Sequence, residues 1–306
     1  MTGIAAQAPA ATTASGSAHR RKRLKRYGLH AFLIVISLIF LLPLVWVVYT
    51  SLRPYADTGG DPRGYVSFGG AYNFDNYTQA FQQGEMIKFF INTMIIVVPA
   101  VILVLLLASM MAFTVSRYSW RLNLTLLMLF TAANLLPPQV LITPLFRMFL
   151  AMPLPAFLSD NGVFYDQYVG IILVNVAFQL GFCTFVLSNY MKTLPKELNE
   201  AATMDGASVW KTYWNVILPL TRPALAALAT LQVTWIYNDF FWALILMFTN
   251  DKRPITSALN QLKGEFFTNN NLMAAGAIIV AIPTLIVFFA LQKQFVSGLT
   301  LGSTKG

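Results

Sequence analysis

The chain is short of the side chains that do most covalent and redox chemistry. It has one cysteine, Cys183, so it can build neither a disulfide framework nor a Cys-based metal site. Its two histidines, His19 and His30, both lie near the N-terminus, which removes His-containing triads and His-rich metal clusters and takes the usual base from most hydrolytic mechanisms. Charge is scarce as well. Only 11% of the 306 residues are Asp, Glu, Lys or Arg, against roughly 25% in an average soluble domain, and this argues against a soluble globular protein. No stretch fits the phosphate-loop pattern G-x-x-x-x-G-K-[ST], and Gly302-Ser303-Thr304-Lys305-Gly306 has the wrong order for one, so the chain cannot supply ATP-driven work by itself.

What is present is apolar sequence in long blocks. Hydrophobic residues make up 57% of the chain, in runs of the length needed to cross a hydrocarbon core about 30 Å thick. Six transmembrane helices are predicted, over 30–50, 89–114, 122–146, 169–191, 224–248 and 272–291. The fold class is all-α, a polytopic membrane protein. Residues 1–28 read as a disordered basic tail, because the Ala/Thr/Ser-rich start lacks the large apolar side chains that would offset ordering. The net charge of +9 does not point to nucleic acid: Arg20, Arg21, Lys22, Arg23, Lys25 and Arg26 form one run beside the first span, a pattern suited to anionic membrane lipid. The first span is too long for the apolar region of a signal peptide and is read as retained. Lys and Arg are twice as frequent on the N-terminal side of the membrane as on the other, which predicts both termini in the cytoplasm of a cell-membrane protein.

Prolines interrupt several spans, and inside a membrane helix each frees a carbonyl that a neighbour must satisfy. Pro137 and Pro138, next to Asn134 and Gln139, read either as a simple kink or as a bend that moves when the bundle opens. The most informative segment is the loop over 192–222. Its sequence from Leu194 to Ala207 reads as helix, turn and helix: Thr193 as a cap, Pro195 in the first turn, Glu197 and Glu200 on one face, Leu194, Leu198 and Ala201 on another. Asp205-Gly206 supplies the stop, and Ser208 is placed to cap a second helix. By physics alone this is equally a helix resting at the membrane interface and one that docks into a cleft on another protein.

Glu200-Ala201-Ala202, three residues, Gly206, nine residues, then Ile217-Leu218-Pro219 resembles the EAA loop of the permease subunits of bacterial ABC importers. Leu194-Pro195, Asp205-Gly206-Ala207 and Gly298-Leu299-Thr300-Leu301-Gly302 are similar to the carbohydrate, MalG-like branch of that family. The resemblance covers nearly everything after residue 28, a six-helix permease domain over 29–306. It implies that Glu200, Ala201, Ala202, Asp205 and Gly206 form a coupling helix that docks on a separate ATPase. It also implies a second, MalF-like permease, a MalK-like ATPase dimer that carries ATP-Mg, an extracytoplasmic solute-binding protein and a carbohydrate substrate. The chain itself would bind no cofactor and no metal, catalyse nothing, and move the sugar by alternating access.

Asp239 is the one acidic residue well inside a predicted span, which makes it a suspect for function. With Trp235, Tyr237 and Asn238 it combines hydrogen-bonding groups and aromatic faces suited to sugar, and Asn175 and Gln179 join it as candidates for the translocation pathway. Asn134, Gln139 and Gln232 are further polar residues in spans, each equally explained by a helix-to-helix hydrogen bond. Asp239 reads alternatively as a structural carboxylate, or as the ion site of a secondary transporter driven by protons or sodium.

Overall fold

The computed structural model describes residues 14–59, 64, 68–118, 121–133, 136–262 and 268–300. Among them every regular element is helical: α1 (Ala14–Ser51), α2 (Asp75–Gln83), α3 (Met86–Arg117), α4 (Asn123–Ala133), α5 (Ile142–Ala151), α6 (Tyr168–Thr193), α7 (Glu197–Met204), α8 (Val209–Thr212), α9 (Leu218–Leu220), α10 (Arg222–Tyr237), α11 (Phe241–Leu246), α12 (Ile255–Ala258) and α13 (Asn270–Thr300). Within the described residues four helical segments are long and apolar enough to cross a membrane: Lys25–Ser51, Met86–Arg117, Tyr168–Thr193 and Asn270–Ala290. A fifth is obtained if Val209–Leu220 and Arg222–Tyr237, bent by 73°, are taken as one span.

Two of the six predicted spans are therefore not continuous helices. The third is α4 and α5 separated by Pro137-Pro138, where Pro137 is extended and a short 3-10 turn, Pro138–Leu141, starts the next helix. Proline lacks the N–H that would continue α4 and pushes the residue before it out of the helical region. The fifth breaks at 238–240, between α10 and α11. At the other end of the chain α1 begins at Ala14, inside the segment read from composition as a disordered tail. Its Ala, Lys, Arg and Leu are strong helix formers that propagate from the adjoining apolar span.

The core is built by α3, α6, α10 and α13. Along α3 the buried positions Phe89, Thr93, Ile96, Val97, Ala100, Val104, Ala108 and Ala112 form one stripe packed against α6. Its alanines let the two backbones approach closely, the usual packing device where lipid removes any hydrophobic drive between helices. α1 is different: Phe32, Leu33, Phe40, Leu42 and Val45 are all exposed, and only its C-terminal end is tied down, against α2 and α13.

That tie is polar. The last carbonyls of a helix need donors from elsewhere. Asn271 Nδ2 donates to Thr50 O (3.1 Å) and Arg53 O (2.8 Å), and Asn271 Oδ1 accepts from Thr58 Oγ1 (2.7 Å). Asn76 Nδ2 donates to Ser51 O and Arg53 O, both at 2.8 Å. Asn271 is fully buried, so Asn271→Leu removes three hydrogen bonds at once, and although Arg53 O keeps Asn76 Nδ2 and Thr50 O keeps Arg53 N, the loss is expected to cost about 3 kcal/mol, about 1 kcal/mol for each bond. Thermal unfolding of the detergent-purified protein measures it; an unchanged midpoint contradicts this account of how α1 is held.

Candidate functional site

The helix-turn-helix between α6 and α10 is built by local signals. α7 ends in a Schellman turn: Gly206 N donates to Thr203 O (3.0 Å) and Ala207 N to Ala202 O (2.9 Å), with Gly206 in the left-handed region at φ +73°. Ser208 then caps α8, its Oγ accepting from Lys211 N at 3.3 Å. Thr193 does not cap α7. It is the last residue of α6 and its hydroxyl donates to Tyr190 O (2.7 Å), while Lys196 precedes the first helical residue and Pro195 lies outside α7. The cause is α6, which stays helical two residues beyond the predicted span.

The structure brings Glu200, Ala201, Ala202, Asp205 and Gly206 together on this one hairpin. Glu200, Ala201 and Asp205 are exposed, as is Met204 beside them, whereas Ala202 is buried against the fold. No atom lies within 4 Å of where a Gly206 Cβ would be, so the glycine serves the backbone angle and not a close approach. After α8 a π-helical turn, Tyr213–Ile217, buries Tyr213 against α3: its hydroxyl shares a hydrogen bond with Ser109 Oγ (2.7 Å) and its ring lies 5.4 Å from that of Phe113. Trp210 and Trp214 remain exposed, the placement favoured at a membrane-water boundary.

The pathway candidates lie mostly on a seam between α6 and the α10–α11 break. Asn175 Nδ2 donates to Asp239 Oδ2 (3.0 Å), Trp242 N donates to Asp239 Oδ1 (3.1 Å), and Gln232 Nε2 donates to Gln179 Oε1 (3.4 Å). Phe182 lies on Trp235 at 5.3 Å and Phe178 on Trp242 at 5.1 Å between ring centres. Trp235 and Asn238 are exposed. Tyr237 is not on this seam: it is buried, and its hydroxyl donates to Val280 O of α13 (2.9 Å). Both Asp239 oxygens are thus held by donors, and the carboxylate caps the first turn of α11. Gln139 is exposed on the 3-10 turn; Asn134 lies outside the described residues. Among the described residues no three His, Cys, Asp or Glu side chains are grouped closely enough to hold a metal ion.

Residues 104–300, which contain the hairpin and the seam, match the family described as binding-protein-dependent transport system inner membrane component. The chain belongs to this family. A probable ABC transporter permease of Pyrococcus horikoshii is 30% identical over 86% of this permease and 92% of its own length. The melibiose/raffinose/stachyose import permease MelC of Bacillus subtilis is 29% identical over 89% and 94% respectively. The diacetylchitobiose uptake system permease NgcG of Streptomyces coelicolor is 28% identical over 90% and 87%. In fold, the permease is similar to a chain from the crystal structure of a bacterial ABC transporter that imports alginate, with a TM-score of 0.72 at 21% identity, covering 90% of this chain and 98% of that one.

Several residues that organise the permease escape a reading of the sequence alone. Asp166, at φ +60°, accepts from Phe248 N (2.8 Å), Thr249 N (3.0 Å) and Thr249 Oγ1. Asn92 Nδ2 donates to Asp251 O (2.7 Å) and Arg253 O (3.0 Å), and Arg117 Nη1 to Leu194 O (3.2 Å) and Pro195 O (3.4 Å). Asn92 had one visible sign, an amide inside an apolar run; Asp166 and Arg117 had none.

Proposed function

We propose that this permease is one membrane subunit of an ATP-driven importer that moves a carbohydrate across the cytoplasmic membrane. It would work with a second, MalF-like permease, a MalK-like ATPase dimer carrying ATP-Mg, and an extracytoplasmic solute-binding protein. The observation that carries the reading is the α7 hairpin. A two-turn helix presents Glu200, Ala201 and Asp205 to the outside, is closed by a glycine turn, and is held rigidly to the bundle behind it. The small alanine side chains allow close approach to a cleft, and Glu200 offers a charge for a basic group there.

In this reading both termini and α7 are cytoplasmic, the loops 51–88, 147–168 and 249–271 face outward, and six spans are formed with the third and fifth broken. Closure of the ATPase dimer carries α7 and rocks the attached helices between inward-open and outward-open states. The α6–α10 seam, with its amides and aromatic faces, suits a neutral sugar. Relatives named for melibiose, raffinose, stachyose and diacetylchitobiose uptake support an oligosaccharide.

The test is uptake by cells deleted for this chain, with labelled melibiose, raffinose, stachyose and diacetylchitobiose as probes. Loss of uptake of at least one, restored by the chain and abolished when ATP is depleted but the proton gradient is kept, is the expected result. Uptake that follows the gradient and ignores ATP contradicts the proposal.

A further inference from the structure

Both limbs of the α7–α8 hairpin are gripped by one stripe of α3. Ser109, Phe113 and Arg117 stand at i, i+4 and i+8 and so share a helix face. Arg117 Nη1 holds Leu194 O and Pro195 O on the limb that enters α7. Ser109 and Phe113 hold Tyr213 on the limb that leaves α8, through the 2.7 Å hydroxyl pair and the ring contact. The grip is well shielded, since Ser109 and Tyr213 are 1% and 2% exposed. Arg117 keeps its place although its Nε and Nη2 are buried without a hydrogen-bond partner, an unfavourable arrangement that the two carbonyl bonds must offset.

The other end of the same helix grips the 249–255 loop in the same manner. Lys88 Nζ pairs with Asp251 Oδ1 (2.6 Å), Asn92 holds Asp251 O and Arg253 O, and Ile255 N donates to Thr93 Oγ1 (2.8 Å). Tyr168 of α6 donates to Asn92 Oδ1 (2.8 Å), which fixes that amide. The helix that carries both grips, α3, has 32 residues in all, about 48 Å at 1.5 Å per residue. Pro99 removes one backbone bond midway, but buried Ile96, Ala100, Val104 and Ala108 pack the helix against its neighbours on both sides of it.

We infer that α3 is the rod that carries movement of the α7 hairpin to the 249–255 loop, with Ser109, Phe113 and Arg117 as positioning residues at one end and Lys88, Asn92 and Thr93 at the other. This rests on the function proposed above and adds the route of coupling within it. The hairpin is covalently attached to α6 and α10. Yet the path through α10 passes a 73° bend and then the break at 238–240, either of which yields before an unbroken packed helix does. α6 is also unbroken and packs along α3, so the two move as one body, within which α3 makes the direct holds on both limbs of the hairpin and on the loop.

The experiment is pulsed electron-spin distance measurement in the complete complex, in a Cys183→Ala background, with spin labels at Ile87→Cys on α3 and Lys211→Cys on α8, both exposed positions. Distances are taken without nucleotide and after trapping with ATP and vanadate. With the grip intact, the Ile87–Lys211 distance is expected to stay the same; in Ser109→Ala/Arg117→Ala it is expected to shift or broaden on trapping by more than about 3 Å, larger than a routine helix adjustment. A shift of that size with the grip intact overturns the proposal. So does an invariant distance in the double variant, because the grip is then not what joins the two. If no ATPase accompanies the permease and trapping has no effect on any label, it is the importer reading that fails.

Discussion

Gly206→Pro is expected to leave the permease inserted in the membrane while separating ATP hydrolysis from uptake, with transport down by at least about tenfold. The size follows from the backbone. Proline fixes φ near −65° and has no N–H, at a cost of about 3 kcal/mol or more where a helix turn needs both. Gly206 sits at φ +73° and donates to Thr203 O. With the Schellman turn lost, Ala207 N no longer reaches Ala202 O and Ser208 is no longer placed over Lys211 N, so α7 and α8 lose their mutual angle. The turn is exposed and away from the core, which is why insertion survives. Gly206→Ala separates geometry from bulk. A Cβ there meets nothing within 4 Å, so the change costs only the left-handed penalty of about 1–2 kcal/mol and is expected to slow transport partially. Sugar uptake per ATP equal to wild type in Gly206→Pro, measured in proteoliposomes of the whole complex, contradicts the role given to the hairpin.

Asp239 yields the second large effect, and its direction depends on what the carboxylate does. Its oxygens accept from Asn175 Nδ2 and Trp242 N, and its own carbonyl accepts from Thr256 Oγ1 (3.1 Å). Asp239→Leu leaves the Trp242 N–H without its acceptor and takes one of the two bonds of the Asn175 amide, which keeps Ile171 O, a loss of about 2–3 kcal/mol at the α10–α11 break, and is expected to deplete the protein from the membrane. Asp239→Asn keeps an acceptor over the first turn of α11, where asparagine caps about as well as aspartate; transport is expected to remain within about threefold of wild type. An ion-coupled carrier with its ion on this carboxylate would lose transport altogether in Asp239→Asn. The pair of variants, scored for both membrane abundance and uptake per molecule, therefore distinguishes a cap from an ion site.

The parts of the structure that sequence reading reached are those governed by neighbours in the chain. Asp205-Gly206 followed by Ser208 specifies a turn and a cap within four residues, and the structure has both. The apolar blocks marked where α1, α3, α6 and α13 run. At Pro137-Pro138 the prolines marked the place, read as a kink or a moving bend, and the structure has a full break there; at 238–240 nothing in the hydropathy marked the interruption, because a broken segment buries apolar side chains as well as a continuous one does. Tyr237 illustrates a different limit. One residue from Asn238, it nevertheless turns to α13 while Asn238 stays exposed, since successive helix positions differ by about 100°. The grips made by Asn92, Arg117, Asn271 and Asp166 join segments far apart in the chain, and apart from the Asn92 amide in its apolar run they have no local signature.

In the proposed function α7 is the docking element of a permease that borrows its energy from a separate ATPase. That role is tested most directly by affinity isolation of the tagged chain from its native membrane, with identification of the accompanying proteins and an ATPase assay, for wild type and for Glu200→Arg. The expected result is a second permease and an ATPase with the wild type, and a Glu200→Arg protein that retains the second permease but loses the ATPase and its activity. Isolation of the wild-type chain without an ATPase, or retention of full ATPase activity by Glu200→Arg, would contradict it.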